Sequence, residues 1–152
     1  MQFEFSVNPE PSDLDFIRNG IRSFNRMNLP EGEVKAVGCF VRDDSGQIIG
    51  GLTGEMFNNT VFVEYLWVDA NSRTSGLGSK LMTLLEEQVQ RHGVTHIYLD
   101  TYSFQALDFY LKLGFEKVGQ YSGYPAAGIH KYFLQKEIVN ANQEKPSNEE
   151  SE

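Results

Sequence analysis

Hydrophobic and polar positions alternate with two different periods along the chain, and the two periods predict its elements. Apolar residues at helical spacing predict a first helix capped by Ser12 and a longer helix from about Gly76 to His92. Runs of β-branched and aromatic residues predict strands, and a short third helix is expected to end at Gly114. The predicted strands are 3–7, 35–43, 47–56, 60–68, 95–100, 115–118 and 130–138, and the short helix is 104–113.

The order of these elements predicts one mixed sheet. The strand ending at Val68 and the strand ending at Asp100 are joined by the long helix, and such a crossover makes two neighbouring strands parallel. Residues 43–46 are typical of an antiparallel hairpin turn. A single domain over residues 1–140 is therefore expected, and residues 141–152, which offer no apolar anchor, are expected to be a disordered acidic tail.

Charge and composition narrow the classes of function. The net charge of −8 comes with no basic run, which argues against a nucleic-acid partner and slightly favours a cationic small one. No apolar stretch approaches the roughly 18 to 20 residues of a membrane-spanning helix, and the N-terminus does not resemble a signal peptide. The single cysteine, Cys39, suits a reducing compartment, so a cytoplasmic protein is expected.

The segment from Val68 to Lys80 carries the strongest chemical signal. A central strand ends, a polar loop follows, and two glycines open a long helix, whose first-turn N–H groups form an anion site. The alternative is a glycine-rich loop that only lets the helix pack closely on the sheet. The segment is not a Walker loop. It also matches the dinucleotide-binding fingerprint poorly, because Leu81 occupies the position of the third glycine. Asp100 does lie at a suitable distance along the sequence for the acidic residue of that fingerprint.

Two separate motifs resemble one family. Arg73-Thr74-Ser75-Gly76-Leu77-Gly78 is similar to the Gln/Arg-x-x-Gly-x-Gly/Ala motif of the GNAT (Gcn5-related N-acetyltransferase) superfamily. The segment from Ala106 to Phe115 resembles that family's Ala-x-x-Phe-Tyr-x-x-x-Gly-Phe pattern. The two motifs agree in order and spacing, and the resemblance covers roughly residues 33–138.

The resemblance implies a fold and a cosubstrate. The expected fold is α/β, with a mostly antiparallel twisted sheet whose two parallel central strands splay apart around acetyl-CoA. The diphosphate would lie on main-chain N–H groups at the start of the long helix, the pantetheine would pair with exposed backbone, and aromatic side chains would wall the thioester arm; no metal is implied. The cofactor-binding residues implied in this way are Leu66, Val68, Arg73, Thr74, Ser75, Gly76, Leu77, Gly78, Ser79, Phe104, Ala106 and Phe109.

Acetyl transfer to an amine also needs a base and an acid. Glu64 is the candidate base, on the expectation that it shares a strand face with Leu66, and the alternative is an ordinary surface ion pair. Tyr110 occupies the family's tyrosine position and is the candidate acid for the leaving thiolate, whereas a tyrosine there without the resemblance would be read as packing. Ser103 stands where many members have Asn, so Ser103 and Gln105 are the two candidates for that contact.

The sequence therefore predicts an acetyl-CoA-dependent N-acetyltransferase that acts directly on a primary amine of an unidentified small molecule or peptide. A non-catalytic acyl-CoA-binding module and, less favoured, a dinucleotide-dependent redox domain are the alternatives. Family resemblance also makes a homodimer possible. Trp67 and Cys39 are assigned to packing.

Overall fold

The computed structural model describes residues 1–138. The predicted tail, 141–152, lies outside the described residues. The chain divides into two compact units, residues 1–33 and the part from residue 34 onward. Each unit is described by itself below, and the single domain expected over residues 1–140 stays a prediction.

The first unit contains one helix, α1, which spans Pro11–Arg26. Its N-cap is Glu10 and not Ser12, because Pro11 takes the first helical position, where a missing N–H costs nothing. The strand predicted over residues 3–7 is wrong, since the described backbone there belongs to no β-ladder. Alternation of apolar and polar residues favours a strand, but a strand needs a partner for its main-chain groups.

The second unit is built on a six-stranded sheet in the order β1-β2-β3-β4-β6-β5. All neighbouring strands are antiparallel except β3 and β4, which are parallel. The mixed, mostly antiparallel fold expected from the sequence is confirmed. The strands are β1 Lys35–Arg42, β2 Ile48–Phe57, β3 Thr60–Val68, β4 His96–Tyr102, β5 Glu116–Ser122 and β6 His130–Glu137; the helices are α2 Leu77–Gln90 and α3 Leu107–Lys112.

The core of this unit lies between α2 and the sheet. The helix buries the apolar stripe that its sequence pattern predicts, and it packs on β1, β2 and β3. Each fully buried aliphatic side chain contributes about 1.5 to 3 kcal/mol relative to exposure, so this stripe fixes the long helix against the sheet. Cys39 belongs to the core, as expected, and burial raises the pKa of its thiol. The helix residues that are buried are Leu81, Met82, Leu85 and Val89.

The two parallel strands pair over only part of their length. Their ladder runs from Thr60 opposite His96 to Val63 opposite Leu99 and ends there. Beyond that point β4 continues to pair with β6, while β3 continues to pair with β2. A cleft therefore opens between the carboxyl-terminal halves of β3 and β4.

A β-bulge in β3 lies at the apex of this cleft. Thr53 of β2 is opposite Tyr65 and Gly54 is opposite Val63, so Glu64 is an extra residue in the ladder. A Cβ atom at Gly54 would lie 2.5 Å from the carbonyl oxygen of Phe62. Glycine at position 54 thus permits the close approach of the two backbones that accompanies the bulge.

Candidate active site

A cavity of about 630 Å³ occupies the cleft between β3 and β4. Its size lies within the range of sites for small ligands and cofactors, roughly 300 to 1,000 Å³. Strand β3 forms one wall and strand β4 the other, and α3 and the loop before α2 complete the lining. The residues that line it are Phe62, Val63, Glu64, Tyr65, Leu66, Trp67, Val68, Arg73, Leu99, Asp100, Thr101, Tyr102, Gln105, Ala106, Phe109, Tyr110 and Lys131.

The backbone of β3 presents hydrogen-bonding groups to the cleft. The N–H of Asp69 donates to the carbonyl oxygen of Ile49 at 2.7 Å, which makes Val68 and Gly50 a pair without mutual hydrogen bonds. By the same alternation the N–H and C=O groups of Leu66 also point away from β2. These groups face the side on which the β3–β4 ladder has ended. The carbonyl oxygen of Val68 accepts a hydrogen bond from Arg73, and the other three groups are available to an extended ligand.

The loop after β3 is a 3-10 helix, Ala70–Ser75, followed directly by α2. Gly76 joins the two with a φ of +73°, a left-handed conformation in which glycine carries no Cβ penalty. The first-turn N–H groups of α2 have no acceptor within the helix and share its partial positive charge. The sequence-predicted anion site therefore has the required local geometry. Thr74, whose backbone lies in the 3-10 helix, stays a predicted contact.

Arg73 connects this loop to the end of β3. Its Nε donates to the carbonyl oxygen of Val68 at 2.9 Å, and the side chain lines the cavity. That bond occupies one of the five guanidinium donors and holds the planar group in place. The other donors can bind an anion, which agrees with the role expected for Arg73.

Gly78, in the first turn of α2, lies in close contact with α3. A Cβ atom at this position would lie 3.2 Å from Cζ of Phe109. The alternative raised for this glycine, close helix packing, is thus part of its role. The packing partner is a cavity residue on α3, however, and not the sheet.

Tyr110 is one of the buried residues of the core and its side chain lines the cavity. The rings of Phe109 and Phe115 contact it edge to face, with centroids at 5.1 and 5.8 Å. Among the described residues, no group is hydrogen-bonded to its hydroxyl. Burial raises the pKa of this phenol, so the hydroxyl stays protonated at neutral pH and can donate a hydrogen bond.

Glu64 lines the cavity, but the strand-face argument used to select it does not hold. The bulge shifts the inward-facing positions of β3 from odd to even numbers: Val63 is buried before it, and Leu66 is half-buried after it. Two-residue spacing therefore does not put Glu64 on the face of Leu66. Its place in the site comes from the bulge itself, directly after the last residue paired with β4.

The other predicted contacts divide into two groups. Ala106, Phe109 and Gln105 line the cavity, whereas Phe104 does not and instead stacks on Tyr102 with ring centroids 5.3 Å apart. Its contact with a cofactor stays a prediction. The hydroxyl oxygen of Ser103 already accepts a hydrogen bond from the N–H of His130 on β6, at 3.0 Å.

Gln105 is the better of the two candidates for the contact that Asn makes in many family members. Its Oε1 accepts from the N–H of Tyr102 at 2.7 Å and from the hydroxyl of Thr101 at 3.1 Å. These bonds fix the amide and leave its Nε2 donors for a ligand in the cavity that Gln105 lines.

Among the cavity residues that the sequence analysis did not select, three bear on the chemistry of the site: Trp67, Asp100 and Lys131. Trp67 was assigned to packing, yet it lines the cavity and is half exposed. Asp100 was considered only as part of a dinucleotide fingerprint, and Lys131 was not considered. Asp100 is the residue directly after Leu99, so the first residue beyond the last β3–β4 pair is a carboxylate on both strands.

Taken together, the splayed parallel strands, the glycine-rich helix start and the buried tyrosine define a class, the CoA-dependent acyltransferases. Residues 4–115 match the model of the acetyltransferase (GNAT) family. The chain belongs to this family. It is an acetyltransferase, and enzymes of the family use acetyl-CoA.

Individual relatives agree with the family assignment. The chain is 30% identical over 120 residues to blasticidin-S acetyltransferase of Streptomyces morookaense, which covers 78% of this chain and 88% of that protein. It is 29% identical over 103 residues to an acetyltransferase of Agrobacterium fabrum, covering 68% of this chain and 75% of the relative. A crystal structure of an acetyltransferase from Bacillus cereus superimposes with a TM-score of 0.81 at 30% identity, covering 89% of this chain and 98% of the other.

The fold also bears on the dinucleotide alternative. A doubly wound nucleotide-binding domain has a mainly parallel sheet. Here β3 and β4 are the one parallel pair among the described strands, so the sheet differs from that of a doubly wound nucleotide-binding domain.

No helix in the described part of the chain is long and apolar enough to cross a bilayer.

Proposed function

We propose that the protein transfers the acetyl group of acetyl-CoA directly to a primary amine of a small molecule or peptide. The observation that carries the proposal is the position of the Tyr110 side chain in a cleft whose opposite wall presents the N–H and C=O groups of Leu66 and the N–H of Val68, none of which pairs with β2 or β4. An extended pantetheine arm would use the backbone groups, and its diphosphate would bind at the start of α2. The sulfur would then lie near the tyrosine.

On the acceptor side, the reaction needs a neutral amine. An alkylammonium has a pKa near 10.4, so roughly one molecule in 2,500 is neutral at pH 7. Glu64 would accept the proton, directly or through water, and the amine nitrogen would form a bond to the carbonyl carbon of the thioester. A main-chain N–H in the bulge region, such as that of Leu66, would stabilise the developing oxyanion.

On the leaving side, the bond between carbon and sulfur breaks and negative charge builds on sulfur. Tyr110 would donate its hydrogen bond there and deliver its proton to the thiolate. The nitrogen, once bonded to carbon, loses its second proton, which returns Tyr110 to its neutral form directly or through water. The products are the acetylated amine and coenzyme A, and Glu64 releases the first proton to solvent. The chemistry forms no covalent intermediate on the protein.

Replacement of the candidate base gives one prediction. We expect Glu64→Gln to lower kcat/KM about tenfold or more near neutral pH, with the loss shrinking at high pH, where more of the amine is already neutral. The control is Glu55→Gln, which removes an exposed carboxylate on β2 that does not line the cavity. A pH–rate profile identical to that of the unaltered protein would exclude Glu64 as the base.

Ligand-induced stabilisation tests the proposed cosubstrate. Acetyl-CoA at about 100 times its Kd should stabilise the fold by about 2.7 kcal/mol, seen as a raised melting temperature, whereas NAD should give no shift. Release of thiol in the presence of a panel of primary amines then tests turnover. Binding of acetyl-CoA without transfer to any amine would support the non-catalytic module instead.

The relatives bear on the acceptor only in outline. The name of the Streptomyces morookaense protein says that it acetylates blasticidin S, a small molecule, which favours a small-molecule acceptor here.

We place the reaction in the cytoplasm because the single cysteine suits a reducing compartment. A homodimer stays a possibility drawn from the family resemblance.

A further inference from the structure

Lys131 projects a cation into the active-site cavity. It lies on β6, opposite Tyr102 of β4 and Tyr121 of β5, and its side chain lines the cavity together with Asp100. Its Nζ is 5.7 Å from the ring centroid of Tyr102 and 5.6 Å from that of Tyr124. The aromatic rings hold the ammonium in place by cation–π attraction, which uses none of its N–H donors.

Within residues 1–138, the N–H donors of this ammonium have no hydrogen-bond acceptor. The nearest carboxylate oxygen is Oδ1 of Asp100 at 3.7 Å, which is an ion pair but too long for a hydrogen bond. Among the described residues, none accepts a hydrogen bond from Nζ of Lys131. Its side chain is only 21% exposed, so water replaces those bonds incompletely. A ligand anion in the cavity would satisfy them.

The neighbouring charges limit which anion fits. Asp100 and Glu64 are the first residues on their strands beyond the last β3–β4 pair, so two carboxylates flank the apex of the cleft. They would repel a doubly charged phosphate. The other cation of the lining, Arg73, is bonded to the carbonyl oxygen of Val68, four residues beyond Glu64 on β3. A single ammonium beside a carboxylate instead complements a ligand that carries one negative and one positive charge.

We infer that the Asp100–Lys131 pair recognises the acceptor: the carboxylate of Asp100 binds its ammonium, and the ammonium of Lys131 binds a carboxylate on the same molecule. The substrate class is an amino acid, or a molecule that ends in an amino-acid unit with a free carboxylate. This inference rests on the proposed N-acetyl transfer. Glu64 keeps the role of base, and Asp100 and Lys131 orient the amine towards the thioester.

Matched acceptor pairs test this inference. Thiol release from acetyl-CoA is measured with glycine, β-alanine, γ-aminobutyrate and the common L-amino acids, each against its carboxamide, and with n-propylamine and agmatine as amines without a carboxylate. Hydrogen bonds to charged groups contribute about 1.5 to 3 kcal/mol, so the best carboxylate acceptor should exceed its amide by about 10- to 100-fold in kcat/KM.

Three variants assign the preference to Lys131. Lys131→Met should abolish the preference and raise the KM of the carboxylate acceptor while leaving the KM of acetyl-CoA unchanged, and Lys131→Arg should keep much of it. Lys117→Met is the matched control, because Lys117 also lies over an aromatic ring, that of Tyr132 at 4.4 Å, but does not line the cavity. Melting temperatures establish that all three variants are folded.

The possible failures are distinguishable. If carboxamides or simple amines are acetylated as well as the carboxylates, or if Lys131→Met keeps the preference, the inference is overturned and the N-acetyltransferase proposal stands. If no amine in the panel is acetylated, the proposed transfer fails for these acceptors and the inference falls with it.

Discussion

Replacing Tyr110 by Phe should lower kcat by about 100-fold or more and change the KM of acetyl-CoA by no more than about twofold. General acid catalysis typically contributes about 10²- to 10⁴-fold, and the phenylalanine ring keeps the edge-to-face contacts with Phe109 and Phe115. The lost hydroxyl leaves no buried partner unsatisfied among the described residues. Steady-state kinetics with acetyl-CoA and any accepted amine measure the effect.

The control for this substitution is Tyr98→Phe. Tyr98 is a half-buried tyrosine on β4 that stacks on His96 and does not line the cavity, so its variant should retain full activity. Melting temperatures close to that of the unaltered protein would show that neither change disturbs the core. Turnover by the Tyr110 variant equal to that of the control would remove the tyrosine from the mechanism.

Gly78→Val should weaken acetyl-CoA binding by about 10- to 100-fold. The new side chain contacts the ring of Phe109, since a Cβ atom alone would already lie 3.2 Å from that ring. The valine also covers the main-chain N–H groups at the start of α2 that are proposed to bind the diphosphate. The loss of one hydrogen bond to a charged group, about 1.5 to 3 kcal/mol, accounts for this range. Calorimetric titration with acetyl-CoA measures the dissociation constant.

Gly20→Val separates this effect from the general cost of a β-branched residue in a helix. Gly20 lies inside α1 with open space around its Cα, so the substitution costs helix propensity without a clash. The dissociation constant of acetyl-CoA should be unchanged by it. An equal loss of affinity in both variants, or none in the Gly78 variant, would contradict the proposed diphosphate site.

Much of the second unit could be predicted from the sequence because its signals are local. The period of α2, the turn between β1 and β2 and the central strand β3 depend on neighbouring residues, and β3 was predicted with the bounds that the structure has. The prediction of a strand over residues 3–7 was wrong because the alternation of apolar and polar residues does not show whether a partner strand is present. The cap of α1 was misplaced because Pro11 was not recognised as the first helical residue.

The site was predicted unevenly for the same physical reason. Gly76, Gly78 and Tyr110 belong to contiguous motifs and could be selected from the sequence, and their contacts with the cosubstrate stay predictions. The prediction that Glu64 shares a strand face with Leu66 was wrong, because a bulge interrupts the alternation of faces in β3. The bulge depends on the register of β2 against β3, which the sequence of one strand alone does not determine.

The sequence by itself was enough to predict the family, whose enzymes use acetyl-CoA, through two motifs that each depend on residue types at short, fixed spacings. Only the tertiary structure decided where the β3–β4 ladder ends, and so which side chains meet in the cleft. Asp100 and Lys131 lie 31 positions apart in the sequence and become neighbours only because β4 pairs with β6. Contacts of this kind depend on strand order and register, which are properties of the packed sheet and not of any single segment.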